Sequence, residues 1–443
     1  MFTKSIVLVG RSNVGKSTLF NRLTKSRDAI VGKRAGLTRD RHFGFFNSDQ
    51  KKHIVIDTGG WEEAQSESVE SDMVKQTVQA VVEADTVFFM VDARAGLLPR
   101  DIEIASNLRR LGKIAILVVN KAEGLDSDLA LSEFSALGYG DPLIISALHG
   151  DGIFELMNRI SEGGESCDLP ELEIKNKGKT KIAVIGKPNV GKSTLVNYLL
   201  GEERLITRDE PGTTRDSIFV DFSYRKTDYL LIDTAGVRKK SKVVDDVEKF
   251  SVIKTLHSIN IADVIILTID ASSGLSEQDA RLGGYVFEAG KALVVAVNKW
   301  DILSNLEKKF FKDTIQEKLK FLSFSDTVYI SALTGVGVNQ LLRGVQTAFK
   351  AATTHLSSAR LNRVLRDAVE RQSPPMSGRY RPKLKFAHQG GTSPPRIIIH
   401  GNGLQKIPNS YRRFLQNFFI ENFALKGTPV KLIFRSSENP YAR

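Results

Sequence analysis

GRSNVGKSTLFN, from Gly10 to Asn21, returns 176 residues later as GKPNVGKSTLVN, from Gly186 to Asn197. Both stretches match the pattern G-x-x-x-x-G-K-S, and each follows a short apolar run and opens a helical pattern. In that context the glycines let the backbone wrap an anion, with N–H groups and the helix N-terminus pointing at a phosphate. The sequence therefore predicts two phosphate-binding loops.

The match between the two loops extends further along the chain, so the first 350 residues contain an internal repeat. Four more pairs occur in the same order, and the spacing between partners drifts from 176 to 185 residues, as changes in loop length would produce. The pairs are AGLTRD at 35–40 with PGTTRD at 211–216, VIDTGG at 55–60 with LIDTAG at 231–236, VNKAE at 119–123 with VNKWD at 297–301, and ISAL at 145–148 with ISAL at 330–333.

Each copy alternates short runs of Val, Ile and Leu with helical stretches, which is typical of a mostly parallel sheet covered by helices on both faces. After about residue 350 the pattern becomes α-β-β-α-β. The sequence therefore predicts an α/β protein with two tandem, doubly wound P-loop domains and a small α+β domain after them. The predicted boundaries are 1–162 for the first domain, 163–179 for a linker, 180–352 for the second domain and 353–443 for the last.

The net charge of +12 is confined to the end of the chain. Residues 351–443 contain 16 Lys or Arg and 4 Asp or Glu, which leaves 47 residues of each sign before them. This asymmetry favours a polyanion-binding domain attached to two neutral ones. A basic surface that serves only solubility would have the same charge.

Composition also excludes several classes of protein. No apolar run approaches the about 18 residues of a membrane-spanning helix, so we expect no membrane partner. The one cysteine, Cys167, has no disulfide partner, and the seven His lack the spacing of metal ligands. We therefore expect a cytoplasmic protein without a structural metal, acting as a monomer.

The repeated motifs supply the groups that a nucleoside triphosphate and Mg²⁺ require. The lysine of each loop reaches the β- and γ-phosphates, and the serine after it ligates Mg²⁺. A threonine in each T-R-D sequence completes the magnesium shell, a strand-ending aspartate holds the ion through water, and a glycine offers its amide to the γ-phosphate. The residues expected at the reacting phosphate are Lys16, Ser17, Thr38, Asp57, Gly60, Lys192, Ser193, Thr214, Asp233 and Gly236.

The N-K-x-D sequence selects the base. In the second copy the Asp301 carboxylate can accept both N1–H and the 2-amino group of guanine, a pattern that adenine does not offer, with Asn298 at the base edge and Lys299 stacked over the ring. The first copy has Glu123, one methylene longer, so we expect guanine selectivity with weaker binding. The other residues predicted to contact GTP are Gly10, Arg11, Ser12, Asn13, Val14, Gly15, Thr58, Gly59, Trp61, Asn120, Lys121, Ala122, Ser146, Ala147, Gly186, Lys187, Pro188, Asn189, Val190, Gly191, Thr234, Ala235, Val237, Trp300, Ser331 and Ala332.

In this order the motifs resemble those of the translation-factor-related GTPases. Two copies followed by a small basic domain are similar to the Der (EngA) family of bacterial ribosome-assembly GTPases. The stretches KLKFAHQGGTSPPR, PNSYRRFLQNFF and GTPVKLIFRSSENPY resemble the KH-like domain of that family, so the resemblance covers nearly the whole chain. It implies GTP hydrolysis, a role in maturing the large ribosomal subunit, and the ribosome and rRNA as partners.

Two positions in each copy bear on the hydrolysis mechanism. Ras-like GTPases have a glutamine after D-x-x-G that orients the attacking water, whereas this chain has Trp61 and Val237. Asn13 and Asn189 resemble the asparagine that coordinates K⁺ in related GTPases, which implies potassium-stimulated hydrolysis with low intrinsic turnover. The alternative is that these asparagines only suit a turn.

The last domain lacks a clean G-x-x-G motif for clamping an RNA backbone, which favours electrostatic contact over sequence-specific readout. The aromatic residues Phe414, Phe418 and Phe423 lie at the spacing of a core face, so we expect them inside the domain. The candidate cations for RNA contact are Arg379, Arg381, Lys383, Lys385, Arg412 and Arg413.

Competing interpretations of function remain. The leading one is a GTP-hydrolysing switch in ribosome assembly. The second is an RNA-binding scaffold in which one nucleotide site is structural, and Glu123 makes the first site the candidate. A tRNA-modifying GTPase would need a catalytic cysteine near the C-terminus, whereas Cys167 lies in the predicted linker.

Overall fold

The computed structural model describes residues 4–24, 42–48, 51–58, 70–113, 115–124, 133–162, 179–201, 219–225, 227–232, 252–376 and 381–436. The chain forms two compact units. One contains Met1–Ser166 and Val252–His257, and the other contains Cys167–Ser251 and Ser258–Arg443. Among the described helices, none has the length and apolar composition needed to cross a bilayer.

The first copy of the repeat folds around a six-stranded sheet. Its strands are β1 (Ser5–Val9), β2 (His42–Ser48), β3 (Lys51–Asp57), β4 (Thr86–Asp92), β5 (Ala115–Asn120) and β6 (Leu143–Ile144), and its described helices are α1 (Lys16–Thr24), α2 (Glu70–Glu83), α3 (Pro99–Arg110) and α4 (Ile153–Glu162). The strand order is β2-β3-β1-β4-β5-β6. Only β2 and β3 pair antiparallel; the other neighbours are parallel.

The second copy has the same topology. Its strands are β7 (Thr180–Ile185), β8 (Phe219–Tyr224), β9 (Thr227–Ile232), β10 (Val264–Asp270), β11 (Ala292–Asn298) and β12 (Asp326–Tyr329), and the helices of this part of the chain are α5 (Lys192–Gly201), α6 (Val252–Ile261), α7 (Glu277–Ala289), α8 (Asn305–Lys318) and α9 (Val338–Thr353). The order β8-β9-β7-β10-β11-β12 reproduces the first sheet strand for strand, with β8 and β9 as the antiparallel pair. The predicted fold class is confirmed for both copies.

The central strands explain why the apolar runs in the sequence are continuous rather than alternating. Every residue of β1 and of β10 is buried, as expected for parallel strands covered on both faces. On the helices that follow the glycine loops, Leu19 and Leu195 are fully buried and belong to separate cores. Each copy of the repeat therefore has a hydrophobic core of its own.

The last domain follows the predicted α-β-β-α-β order. Its elements are α10 (Ser358–Arg371), β13 (Lys383–Gly391), β14 (Arg396–Asn402), α11 (Asn409–Phe423) and β15 (Lys431–Ser436). Strand β14 is central, antiparallel to β13 and parallel to β15. Phe418 and Phe423 are buried in this domain's core, and Phe414 packs against it, so the core assignment of these aromatics is confirmed.

The last domain packs on the second copy through main-chain hydrogen bonds. The Leu293 amide, near the start of β11, donates to the Gly427 carbonyl at 2.8 Å, and the Gly427 amide donates to the Phe324 carbonyl at 2.7 Å. The Ser393 amide donates to the Ala352 carbonyl at the end of α9, at 2.9 Å. These contacts join the two domains within the second unit.

Candidate nucleotide-binding sites

Each sheet brings the described residues of the repeated motifs to one edge. Gly10 directly follows β1, Asp57 ends β3, Asn120 ends β5, and Ser146 comes just after β6. Because β1 lies between β3 and β4, the strand order reverses at this point, and ligands of open α/β sheets bind in the crevice outside such a switch point. In the second sheet the described counterparts Gly186, Asn298 and Ser331 lie at the same edge, after β7, at the end of β11 and after β12.

The two glycine loops have closely matching backbone conformations. The φ angles are 156° at Gly10 and Gly186, and 100° and 93° at Gly15 and Gly191. Helix α1 begins at Lys16, whose Nζ donates to the carbonyls of Gly10 at 2.9 Å and Arg11 at 2.6 Å. The ammonium of each loop lysine is therefore held inside the loop, since Nζ of the second lysine likewise donates to a loop carbonyl at 2.7 Å. Phosphate oxygens bound there would meet a cation already in place.

A buried asparagine ties together the loops of each site. The Asn120 side-chain Nδ2 donates to the Val14 carbonyl at 2.7 Å, and its Oδ1 accepts from the Ala147 amide at 2.8 Å. In the second site Asn298 bonds Val190 and Ala332 with the same atoms, both at 2.8 Å. The asparagine of N-K-x-D thus joins the phosphate loop to the loop after the last strand, a role that the sequence analysis did not assign to it.

The second glycine of each loop is required by this asparagine. A Cβ added to Gly15 would lie 2.1 Å from Asn120 Nδ2, and one added to Gly191 would lie 2.2 Å from Asn298 Nδ2. Both glycines also have left-handed φ values that disfavour other residues. The glycine in the pattern therefore serves close packing of protein against protein as well as close approach to an anion.

The lysine of N-K-x-D forms an ion pair with an aspartate that ends the fourth strand of each sheet. Lys121 Nζ lies 2.6 Å from Asp92 Oδ2, and Lys299 Nζ lies 2.6 Å from Asp270 Oδ2. Burial alone would raise the pKa of Asp270, but hydrogen bonds from Lys299 and Ser272 outweigh it and lower the pKa. Sequence analysis missed both aspartates, although they recur at the same spacing as N-K-x-D.

An ion pair that the sequence analysis also did not predict fixes the basic residue at the second position of each glycine loop. Arg11 Nε lies 2.8 Å from Asp101 Oδ1, and Lys187 Nζ lies 3.1 Å from Asp279 Oδ2; both aspartates are fully buried. Each carboxylate also accepts a backbone amide at the start of its helix, from Leu98 at 3.1 Å in the first copy. These helix-capping aspartates therefore hold the basic residue of the loop in a fixed direction.

The base-reading position is where the two sites differ. Glu123 Oε1 lies 3.0 Å from Arg94 Nη2, while none of the residues that the structure describes forms an ion pair with Asp301. Hydrogen bonds from its own backbone amide and from the Ser146 side chain lower the pKa of Glu123, and the charge of Arg94 adds to the effect. Beside Asp301, the Trp300 ring packs on Tyr329, with centroids 4.2 Å apart.

The donors present suit Mg²⁺ at the phosphate edge. Ser17 lies in the first turn of α1 with an exposed side chain, and Asp57 is buried at the end of β3. Hydroxyl and carboxylate oxygens are the hard ligands that Mg²⁺ prefers. The candidate potassium ligands Asn13 and Asn189 are exposed, with φ of 65° and 63°. This conformation is one that asparagine tolerates well, so it also agrees with the turn interpretation.

Several predicted site residues lie outside the described residues, and their roles stay predictions. They are Thr38, Gly59, Gly60, Trp61, Thr214, Asp233, Thr234, Ala235, Gly236 and Val237. The same holds for the RNA-contact candidate Arg379.

Comparison with known proteins identifies the class. A family model described as "50S ribosome-binding GTPase" matches residues 5–121 and 181–299, and one described as "KH-domain-like of EngA bacterial GTPase enzymes, C-terminal" matches residues 355–435. The protein is a GTPase, with GTP as its substrate and a KH-like domain after its two GTPase domains.

The relatives narrow the family. GTPase Der of Nitrosospira multiformis is 52% identical, over 99% of this chain and 94% of its own length. GTPase Der of Chromobacterium violaceum is 52% identical over 99% and 92%, and that of Ralstonia pickettii is 51% identical over 99% and 98%. The chain belongs to the GTPase Der family.

Proposed function

We propose that this GTPase is a GTP-hydrolysing switch in assembly of the large ribosomal subunit, acting as a cytoplasmic monomer in contact with rRNA. The family model that matches both GTPase domains is described as a "50S ribosome-binding GTPase". The observation that carries the proposal is the combination of two matching phosphate loops with a basic domain joined to the second GTPase domain. A cytoplasmic location suits a chain with one cysteine.

In this switch, Thr38 and Thr214 contact the γ-phosphate and Mg²⁺ while GTP is bound, and both lose these contacts after hydrolysis. Ser17, Ser193 and Asp57 would hold the ion, which would neutralise charge on the phosphates. The loop lysines exchange their carbonyl partners for phosphate oxygens. Loss of these contacts changes the surface that the ribosome meets.

The sheet of the KH-like domain supports contact with RNA. Ile397 and Ile399 of β14 belong to the core, so the alternate residue His400 lies on the opposite face of the sheet. There the His400 ring stacks on Phe386 and His388, at centroid distances of 4.4 Å and 5.2 Å. Aromatic rings on a sheet face can stack on the bases of single-stranded RNA.

The charge of the same sheet is complementary to phosphate. Strands β13, β14 and β15 contain no Asp or Glu. Arg435 pairs with His400 in the register of β14 and β15, and Lys383 and Lys385 are exposed on the edge strand β13. Cations beside stacking rings are the combination that single-stranded nucleic acid requires.

Co-sedimentation with purified large subunits tests the proposal. We expect the full chain to bind in the presence of a non-hydrolysable GTP analogue and much less with GDP. Lys383→Glu with Lys385→Glu should weaken binding in both nucleotide states and should leave GTP turnover without ribosomes unchanged. Equal binding with GDP, with the analogue and without nucleotide would contradict a switch.

The scaffold interpretation makes a different prediction for turnover. If the first site were only structural, Lys16→Ala would leave steady-state hydrolysis intact and Lys192→Ala would abolish it. We expect each substitution alone to remove part of the hydrolysis, because the two loops have matching geometry.

We further propose that K⁺ stimulates hydrolysis through Asn13 and Asn189. Both side chains are exposed within the glycine loops, and neither copy has a glutamine after D-x-x-G. Turnover should be higher in KCl than in NaCl at equal ionic strength, and Asn13→Ala with Asn189→Ala should remove the difference. Equal rates in both salts for the unmodified chain would refute this role.

A further inference from the structure

Two of the positions at which the base-reading sites differ contact each other in the first copy. Glu123 of the first site corresponds to Asp301 of the second, 178 residues later. At the same spacing, Arg94 corresponds to Ser272. The copy with the longer carboxylate thus also has an arginine, and the copy with the shorter one has a serine.

Arg94 and Glu123 meet directly in the structure. Arg94 Nη2 lies 3.0 Å from Glu123 Oε1. Arg94 comes two residues after Asp92, and its backbone amide donates to Asp92 Oδ1 at 3.0 Å. The same aspartate holds Lys121 at 2.6 Å through its other oxygen. The arginine is therefore attached to the framework that carries N-K-x-D.

Stability of the fold does not account for this contact. The Arg94 side chain is 58% exposed and that of Glu123 is 24% exposed. An ion pair so open to water adds little to folding, because the gain in attraction is offset by solvation and side-chain entropy. The Arg94–Glu123 contact can therefore contribute more to orienting the carboxylate for a ligand than to the stability of the fold.

We propose that Arg94 positions the Glu123 carboxylate, so that the first site reads guanine through this pair as the second site does through Asp301 alone. The inference rests on the proposed GTP-binding function and on the contact with guanine that the sequence predicts for Glu123. Glutamate has one more rotatable bond than aspartate, and that freedom is lost on binding. A guanidinium bonded to Oε1 restricts this freedom before the base arrives.

The contact leaves the carboxylate able to accept from guanine. Each carboxylate oxygen has two lone pairs, so Oε1 can accept from Arg94 and from the base together. The planar guanidinium also fixes direction better than a lysine ammonium would. Arg94 is thus a positioning residue, and its effect should appear as discrimination between bases.

Nucleotide titrations of the full chain test the proposal, with Lys192→Ala present throughout to silence the second site. The probes are GDP and inosine diphosphate, which lacks the 2-amino group that the carboxylate accepts from. Arg94→Ser should weaken GDP binding by up to about tenfold, the size of the entropy lost when one long side chain is ordered. Binding of inosine diphosphate should fall less, so the preference for GDP shrinks.

A compensating variant makes the test specific. Arg94→Ser with Glu123→Asp installs the residues that the second site has at these two positions, and it should regain most of the lost affinity and preference for GDP. The reciprocal change uses Lys16→Ala to silence the first site. There Asp301→Glu alone should lose preference for GDP, and Asp301→Glu with Ser272→Arg should regain it.

Two controls distinguish a wrong role for Glu123 from a wrong role for Arg94. Glu123→Ala should remove the preference for GDP; if it does not, Glu123 does not read the base and the inference fails with that premise. If Glu123→Ala removes the preference but Arg94→Ser leaves both affinities unchanged, or lowers both equally, positioning by Arg94 is wrong. Thermal unfolding of Arg94→Ser should match the unmodified chain, because the pair is exposed.

Discussion

Asn120 shows how a residue expected to touch the ligand also builds the site. Its amide nitrogen and oxygen are both used by protein, one by the Val14 carbonyl and the other by the Ala147 amide. Leaving either group unpaired in a buried position would cost about 1–3 kcal/mol. Asn298 repeats the arrangement, so one side chain in each copy holds the phosphate and base loops at a fixed separation.

Replacing Gly15 by alanine should abolish binding at the first site only. The added Cβ would meet Asn120 Nδ2 at 2.1 Å, and the φ of +100° adds strain of about 1–3 kcal/mol. Calorimetric titration with GDP should show half the number of nucleotides bound per chain. Gly191→Ala should produce the same loss at the second site, and unchanged stoichiometry in either variant would contradict the role of the glycine.

Sequence patterns reveal the residues of these sites only where the motif is local. The glycine loops and N-K-x-D are short strings whose spacing can be recognised directly. The pair of Arg11 with Asp101 joins residues 90 positions apart, and that of Arg94 with Glu123 joins residues 29 apart. Such pairs depend on which strand ends lie side by side. The signal in the sequence that could have revealed these ion pairs is the recurrence of charged residues at a fixed offset between the two copies.

Lys291 closes the turn between α7 and β11. Its Nζ donates to the carbonyls of Asn260 at 2.6 Å and Ala262 at 2.8 Å, just where α6 ends. Burial lowers the pKa of this lysine from 10.5 to about 8. In the first copy Lys113 makes the matching contact, to the Ala84 carbonyl at 2.9 Å. The lysine therefore satisfies helix-end carbonyls at the cost of burying an ammonium.

The titration of Lys291 should therefore make the second unit more stable as the pH rises from 8 to 10.5. In that range the unfolded chain binds more protons at Lys291 than the folded one, so the free energy of unfolding gains up to about 1.4 kcal/mol per pH unit. Below pH 8 both states are protonated and the slope vanishes. Urea unfolding at several pH values, followed by Trp300 fluorescence, measures this slope. The substitution Trp61→Phe removes the other tryptophan of the chain.

Lys291→Met should remove this rise relative to the unmodified chain. Lys309→Met, at an exposed position of α8, is the matched control and should leave the slope unchanged. The same slope in all three proteins would show that Lys291 does not titrate in this range.

Apolar periodicity predicted most elements but could not assign their partners. The buried runs of β1 and β10 are recognisable as parallel strands from composition alone. The antiparallel pairing of β2 with β3 could not be predicted, because pairing direction depends on the connection and not on either strand's residues. Strand β6 has only two residues, too few for any period to appear.

Gly427 is a point of close contact between the KH-like domain and the second GTPase domain. Its amide and carbonyl bond to Phe324 and Leu293, and a Cβ added there would lie 2.4 Å from the Ala348 Cβ of α9. The φ of +83° also favours glycine. Charge asymmetry in the sequence indicated a separate domain, but no local pattern predicted this junction.

Gly427→Ala should destabilise the second unit by about 2–4 kcal/mol, from overpacking and backbone strain together. Urea unfolding monitored by Trp300 with Trp61→Phe measures the change. Gly274→Ala is the control, since that glycine has a φ of +76° but open space around it; only about 1–2 kcal/mol should be lost there. Equal losses in both variants would mean that the junction tolerates a methyl group.

The asparagine links have a consequence for the rate of nucleotide exchange. Because Asn120 and Asn298 keep the loops joined through protein atoms alone, departure of a nucleotide need not disassemble the pocket it leaves. The conformational entropy of these loops is lost when the protein folds, so it does not oppose each binding event again. We therefore expect dissociation to depend mainly on the contacts made to the nucleotide itself, and the emptied pocket to keep its phosphate loop and base loop in register for the next molecule.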